Sequence, residues 1–522
     1  MSRSTRAAGR RSAPRGSRSR HKAHRTRTTS KAIGLTLISA LIPGSGFVMG
    51  GRTKLGAFVM TLSVGLLALG AYIGLTKRDA VLELAVDPRQ LLIATGAVVF
   101  LGLLWIWVVV QSHKLIRPVS MTAVGRLAGS AFVGLLCFGI AVPTTVAAQT
   151  VMAQRDLVGS VFASEGKSKS ATRPKIEDKK SPWANTPRLN ILLLGADDGA
   201  GREGTRTDTV MVASIDTKNG DTKLISLSRN WMRMPFPEDS PLHEFYPEGF
   251  WDPSLGNVEQ PDYYLDAMYR NIPAAHPGVL GASDNEGADV LKVSVGAALG
   301  LDIDYYMQVN LKGFEQIVDA LGGITVNINY KVPIGGDYRG PGSGDDVLPK
   351  DYLLPGANQK LNGHDALWFA RGRYGLSDGS RQERQRCAIH AIVNSANPAN
   401  LVTKYQQIAA ASKKLLQTDI PQEILPAFID LGLKVKSAKV SNVDLDKDKN
   451  FPSGKNPNYE AMRELVQKAI EPKAGTEPTT TTPSTTPTKK PTTGKTTTAT
   501  PKPSPGGTED LSDACAYHPA NP

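Results

Sequence analysis

Hydrophobicity is laid along this chain in two different ways. In the first third it comes in long blocks: 32–50, 55–76, 91–111 and 127–148 are almost wholly apolar. The last three are long enough, and poor enough in charge, to cross a bilayer as helices. The first is interrupted by Ile42-Pro43-Gly44-Ser45-Gly46, which makes 32–50 a candidate re-entrant or interfacial segment. It also flows directly into a second apolar block, which is not how a cleaved leader reads.

From residue 188 the apolar positions come in short runs instead. Leu189 to Gly195 (LNILLLG) is continuous and ends in glycine, the pattern of a strand buried on both faces. Thr209 to Asp216 (TVMVASID) and Thr222 to Ser228 (TKLISLS) are two further β-prone runs, joined through Asn219-Gly220, a strong hairpin signal. Lys312 to Leu321 then shows helical spacing, closes at Gly322-Gly323 and leads into a strand over Ile324 to Ile328. Such βα alternation predicts an α/β layered domain. Asn362 to Asp365 has the form of a helix start, with Asn362 as the cap, and Ser380 is a candidate start for the next helix. Residues 236–285, rich in Pro, Gly, Asp and aromatics, read as an insertion or lid.

Charge refines this outline. The formal net charge is +13, but ten Arg and Lys residues lie between Arg3 and Arg27, and no acidic residue precedes Asp79. Without that tail the chain is close to neutral, so no basic nucleic-acid face is implied. A basic tail is retained on the cytoplasmic side. Three crossings then put everything after about residue 150 outside, whereas four would leave it inside. The Thr/Pro-rich stretch 475–507 suits an exterior stalk. The expected organisation is a disordered cytoplasmic tail over 1–31, a membrane region over 32–150, a linker over 151–187, an extracellular catalytic domain over 188–470 and a Thr/Pro-rich tail over 471–522.

The three cysteines, Cys137, Cys387 and Cys515, are far apart and show neither metal-ligand spacing nor an evident disulfide framework. A bridge between Cys387 and the tail stays open on sequence grounds. His390 and His364 read as structural or solvated residues. The chemistry lies in acids and arginines. If the first three runs are neighbouring strands, the hairpin brings Asp197, Arg206, Asp208 and Arg229 to one end of the sheet. Those four residues suit either a set of surface salt bridges or an oxygen-ligand site for Mg²⁺ or Mn²⁺ with arginines for phosphate. Arg371, Arg373, Arg381, Arg384 and Arg386 crowd a second short segment, where Arg381 and Gln385 share a helix face.

NILLLGADDG, RTDTVMVASID, ISLSRN, GFEQIVDALGGITVNI, LPGANQKLNGHDALWFARGR and SDGSRQERQ occur in the order seen in the LytR-CpsA-Psr family, which the chain resembles over roughly 188–400. RMPFPEDSP and IPGSGFVMGGRTKLG resemble actinobacterial members. The resemblance implies a central mixed sheet flanked by helices, with an apolar cleft for a lipid. It implies a membrane phosphotransferase that moves a glycopolymer, or its linkage unit, from a polyprenyl-pyrophosphate carrier to peptidoglycan. It also implies roles. Asp197 and Asp208 match the metal-binding aspartates, for Mg²⁺ or Mn²⁺. Arg206, Arg229, Arg371, Arg373 and Arg381 match catalytic arginines. Arg229, Arg371, Arg373, Asp378, Arg381 and Gln385 match the pyrophosphate-binding set. Two departures stand out: Asn230 occupies a position where many members carry Asp, and Gly379-Ser380 replaces an aromatic-Gly pair. Arg386 falls where Gln is common and is not counted as a site residue. The implied partners are the lipid-linked glycan donor, peptidoglycan and membrane lipids, with no nucleic acid. The alternatives are transfer to a surface protein, or a non-catalytic wall-polymer binding or regulatory protein.

Overall fold

The structure, a computed structural model, describes residues 29–77, 81, 84–118, 121–179, 181–197, 206–256, 258–337, 347–396, 416–445, 457–471 and 508–518. Most of the basic tail and of the Thr/Pro-rich stretch therefore lies outside the described residues. Two compact units emerge, Met1–Val81 with Ile93–Val151, and Leu82–Leu92 with Met152–Pro522.

Among the described residues, three helices are long and apolar enough to cross a membrane: Thr53–Thr76, Pro88–Ile116 and Ala123–Asp156. At 24 residues, even the shortest runs past the roughly 30 Å of a hydrocarbon core at about 1.5 Å per residue. The first apolar block instead forms two short helices, Thr29–Leu41 and Ser45–Met49. Between them Gly44 takes φ +100°, and a Cβ there would meet Gly56 O at 2.7 Å. Neither piece alone reaches across the core. Trp105 Nε1 donates to Ala40 O at 3.0 Å, and Thr36 Oγ1 lies 3.0 Å from His113 Nδ1, so the block packs on the Pro88–Ile116 helix. The helix opening at Thr29 takes in the last residues that the sequence assigns to the disordered tail.

The second unit is built on strands β1 (Arg188–Asp197), β2 (Arg206–Asp216), β3 (Thr222–Leu227), β4 (Tyr305–Asn310), β5 (Ile324–Ile328), β6 (Val332–Asp337), β7 (Val347–Leu353), β8 (Gly356–Leu361), β9 (Leu416–Thr418), β10 (Val440–Val443) and β11 (Thr508–Asp510). Seven form one mixed sheet in the order β11-β10-β3-β2-β1-β4-β9. The pairs β1/β4 and β3/β10 are parallel, and the other neighbours are antiparallel.

Alternation along the strands explains the layering. Leu192 and Leu194, with Val210, Val212, Ile225 and Leu227, face one core, where the helices Leu265–Ala275, Glu286–Leu299 and Tyr459–Ile470 pack. Leu189 and Ile191, with Met211, Ala213, Ile215 and Leu224, face a second core under the helix Leu425–Ser437. The LNILLLG run is therefore buried on both sides, as its pattern predicts. The hairpin forms too, with Gly220 at φ +86° and Asp216 Oδ1 accepting from Lys218 N and Asn219 N. Only the glycine needs the left-handed conformation.

The strand over Ile324–Ile328 forms as expected, but it pairs with β8 in a separate two-stranded sheet over a smaller core that includes Val318, Phe369 and Ala388. Two expectations change. The 236–285 segment is not a lid, since Leu242, Phe250, Leu265, Met268 and Ile272 are buried in the first core. The chain end is not all tail. β11 extends the sheet, Leu511 is buried, and Cys515 forms a disulfide with Cys387.

Candidate active site

Register sets the acids. β1 ends with Asp197 opposite Arg206, the first residue of β2. One step in, Ala196 faces Thr207, but Gly195 faces Thr209, so Asp208 is an extra residue in β2. A bulge of this kind ends regular pairing and re-aims a side chain. Val210 pairs with Leu227 at the end of β3, and Arg229 follows two residues later. Asp197, Arg206, Asp208 and Arg229 thus meet at one edge of the sheet, as the turn chemistry requires. Arg229 Nη1 donates to Asp208 Oδ1 at 2.6 Å.

The arginine segment arrives from two helices. In the first, Gly363–Arg371, the Asn362 side chain accepts from Asp365 N at 2.9 Å, as the motif predicts. Arg371, in its last turn, donates through Nη2 to Asp197 Oδ2 at 2.6 Å. The second helix, Asp378–Ser395, opens earlier than the sequence suggests: its cap is Ser377, whose side chain accepts from Ser380 N. Arg381 is buried in it and pairs through Nη2 with Asp378 Oδ1 at 2.8 Å.

Electrostatics binds the two groups into one site. Burial disfavours the charged form of Asp208. Its carboxyl is nevertheless held below the ordinary value, because Arg229 donates to it and Arg381 and Arg371 lie within electrostatic reach. Burial likewise pushes the Arg381 guanidinium down, with Asp378 opposing and Arg229 and Arg373 beside it. Two donors here are not saturated: Arg229 Nε and Arg381 Nε are buried and have no hydrogen-bond partner. Buried N–H groups without acceptors are costly, and an arriving anion would satisfy them.

The remaining assignments divide. Arg373 is exposed, next to the cluster. Gln385 is half-buried one turn beyond Arg381. Asp378 is engaged with Arg381, and a carboxylate repels diphosphate, so its place in the pyrophosphate-binding set is better read as orienting Arg381. Arg386 points away, 3.9 Å from Asp444. Arg384 is also apart: buried, it donates to Phe369 O at 2.7 Å, to Tyr330 Oη at 2.8 Å and to Gly372 O. It thereby caps the helix that presents Arg371.

Sequence reading missed Asp266. It lies in the first turn of the Leu265–Ala275 helix, with Oδ2 3.6 Å from Arg206 Nη1 and 3.9 Å from Arg229 Nη1. No motif flagged it, because its segment reads as irregular. Among the described residues, no group of three or more His, Cys, Asp or Glu side chains gathers to enclose a metal. Asp197 and Asp208 are the carboxylates at this end of the sheet whose oxygens are of the type a hard cation takes, and each is engaged with an arginine, Arg371 and Arg229 respectively.

A family model described as the LytR_cpsA_psr family matches residues 158–471. The chain is 27% identical over 269 residues to a Streptococcus mutans protein named Biofilm regulatory protein A, covering 50% of this chain and 57% of that one. It is 26% identical over 261 residues to Bacillus mycoides TagU, named as a polyisoprenyl-teichoic acid–peptidoglycan teichoic acid transferase, covering 48% and 68%. A Streptococcus agalactiae protein of solved structure aligns at 22% identity and a TM-score of 0.39, covering 56% of this chain and 91% of its own.

Proposed function

The chain belongs to the LytR_cpsA_psr family, and from that premise we propose that it is a membrane-anchored phosphotransferase that moves a glycopolymer from a polyprenyl-pyrophosphate carrier onto peptidoglycan. The observation that carries this reading is the 2.6 Å pair between Arg371 and Asp197. It joins residues 174 positions apart and draws the acid pair and the arginine cluster to one sheet edge.

The chemistry follows from charge. Transfer of a phosphoryl-linked glycan is largely positioning plus stabilisation of charge on the transferring and leaving oxygens. Guanidiniums suit the task because they bind phosphate oxygens in a planar fork and stay protonated at any cellular pH. Arg229, Arg371 and Arg381 hold the diphosphate. A hydroxyl of the wall acceptor attacks the phosphorus attached to the glycan, and its proton passes to an oxygen of the departing polyprenyl phosphate. The bond to the bridging oxygen breaks, and polyprenyl phosphate leaves with that electron pair. Asp197 and Asp208 would hold Mg²⁺ or Mn²⁺, which supplies further neutralisation of the diphosphate when bound.

Location is part of the proposal. The catalytic unit lies on the side of the bilayer opposite the basic tail; the three helices among the described residues that are long and apolar enough to cross support this reading, because an odd number of crossings changes sides. Wall acceptor and lipid-linked donor are both found on that side.

The test uses the purified full chain with a short-chain prenyl-pyrophosphate saccharide, peptidoglycan fragments and Mg²⁺. Arg371→Ala and Asp208→Ala are each expected to lower turnover by about 10²–10³, as loss of one preorganised contact typically does. Turnover that both variants leave intact would overturn the site. Turnover indifferent to chelation would overturn the metal role alone.

A further inference from the structure

Each tightly held arginine of the site has its own carboxylate. Arg371 has Asp197 and Arg229 has Asp208, both at 2.6 Å, while Arg381 has Asp378 at 2.8 Å. Arg206 differs. Its recorded acidic neighbours are Asp266 at 3.6 Å and Asp262 at 3.8 Å, and both come from the segment that sequence reading left without a role.

Asp262 is largely exposed, but the Asp266 side chain is 3% exposed. Its Oδ2 lies between two guanidiniums, and its Oδ1 is buried with no hydrogen-bond partner. A buried, incompletely paired carboxylate weakens a fold relative to an apolar residue of similar size. Stability alone therefore gives no reason for it. Its placement is firm. Asp266 N donates to Arg229 O at 3.1 Å and Leu265 N to Trp231 O at 2.9 Å, which stitches the helix start to the loop that carries Arg229. Leu265, Met268 and Ile272 anchor the same helix in the core.

We propose that Asp266 is a positioning residue: its carboxylate holds Arg206 and Arg229 side by side, offsetting their mutual repulsion, so that both guanidiniums meet one diphosphate. This rests on the phosphotransferase reading above. Asp266 takes no part in bond making; it acts through the two arginines. The segment 236–285 is then the back wall of the site.

The experiment compares Asp266→Asn, Asp266→Glu, Arg206→Gln and the Asp266→Asn/Arg206→Gln double variant in the full chain, with Arg371→Ala in parallel. Asp266→Asn should lower kcat and raise KM for the prenyl-pyrophosphate donor, a combined loss of about 10- to 100-fold. The acceptor KM should stay unchanged, a split that general loosening of the fold does not produce. The double variant should lose less than the product of the two single losses, and Asp266→Glu should recover part of the loss. Wild-type kinetics in Asp266→Asn, or losses that multiply in the double variant, would overturn the proposal. If Asp266→Asn fails to fold, Asp266→Glu decides: donor kinetics identical to wild type would count against positioning. If Arg371→Ala is also silent, the proposed function fails; if only the Asp266 variants are silent, this inference fails alone.

Discussion

Arg384 offers a direct test of how the site is held. Its guanidinium is buried and meets four oxygens, on Phe369, Tyr330, Gly372 and, at 3.4 Å, Ser380, and it lies over the Tyr330 ring at 5.6 Å. Arg384→Ala removes the donor facing two main-chain carbonyls at the end of the Gly363–Arg371 helix. A buried acceptor that loses its partner costs about 1–3 kcal/mol. Two carbonyls and a phenol oxygen, with some water entering the gap, come to about 3 kcal/mol, or on the order of 10² in the folded-to-unfolded ratio. For a unit this large the thermal midpoint should fall by about 5 °C.

The functional consequence should exceed the stability consequence. Gly372 sits between Arg371 and Arg373, so loosening that turn displaces the Arg371 guanidinium from Asp197. A displacement of about 1 Å can cost on the order of 10² in rate. Arg384→Lys keeps the charge but not the fork, and should behave nearly as badly as alanine. Arg386→Gln is the control: its guanidinium faces Asp444 at 3.9 Å, outside the proposed site, and turnover should stay within about twofold. Thermal unfolding in detergent, followed by transfer assays well below the midpoint, separates the two effects. Arg384→Ala with an unchanged midpoint and unchanged turnover would refute the clamp.

Two more tests concern stability and the chain end. Burial raises the Asp304 carboxyl to about 6, with Asn190 N and Lys292 working against that rise. Because the folded value lies above the ordinary one, the group costs stability at neutral pH, and the cost fades as pH falls through 6 towards 4. Asp304→Asn should therefore raise stability at pH 7.5 by on the order of 2 kcal/mol, with a smaller gain at pH 5; equal gains at both would show that the carboxyl is not shifted. Protease cleavage within 472–507 should release no fragment until reductant is added, because Cys387 and Cys515 are bonded across the cut. Release without reductant would break that assignment, and Cys515→Ser should cost about 2–4 kcal/mol.

The parts of the fold that were readable from sequence are those whose cause is local. LNILLLG predicts a doubly buried strand because five of its seven residues are Leu or Ile, on both faces of the pleat. Asn219-Gly220 predicts the hairpin, which decides which end of the sheet carries the acids, and Asn362 predicts the cap. What failed depended on distant partners. The five arginines of 371–386 look alike in sequence, yet Arg384 faces carbonyls at the end of another helix and Arg386 faces Asp444. Helical spacing cannot foresee either. The 236–285 segment reads as irregular from its Pro and Gly content, while its scattered Leu242, Phe250, Leu265 and Met268 find a sheet face that only the tertiary fold supplies. Asp266 was hidden by the same composition. After the low-complexity stretch, Cys515 was the single sign that the chain returns to the domain.

The pairing of arginines with aspartates can look like the opposite of a phosphate site, since guanidiniums already bound to carboxylates have less to offer an anion. The geometry argues otherwise. A guanidinium carries five N–H donors, and the recorded contacts of Arg371 and Arg381 to their carboxylates each use one Nη group. Arg229 Nε and Arg381 Nε stay buried and unpartnered. Several arginines within electrostatic reach of one another would also repel strongly if nothing offset them, and the unliganded edge would open. Asp197, Asp208, Asp266 and Asp378 let that edge fold closed while each holds a guanidinium from one side only. The entropy of fixing long side chains is then paid on folding rather than on binding, which is what preorganisation requires. An unpaired arginine patch would attract diphosphate from farther away, but it would order itself only as the ligand arrived.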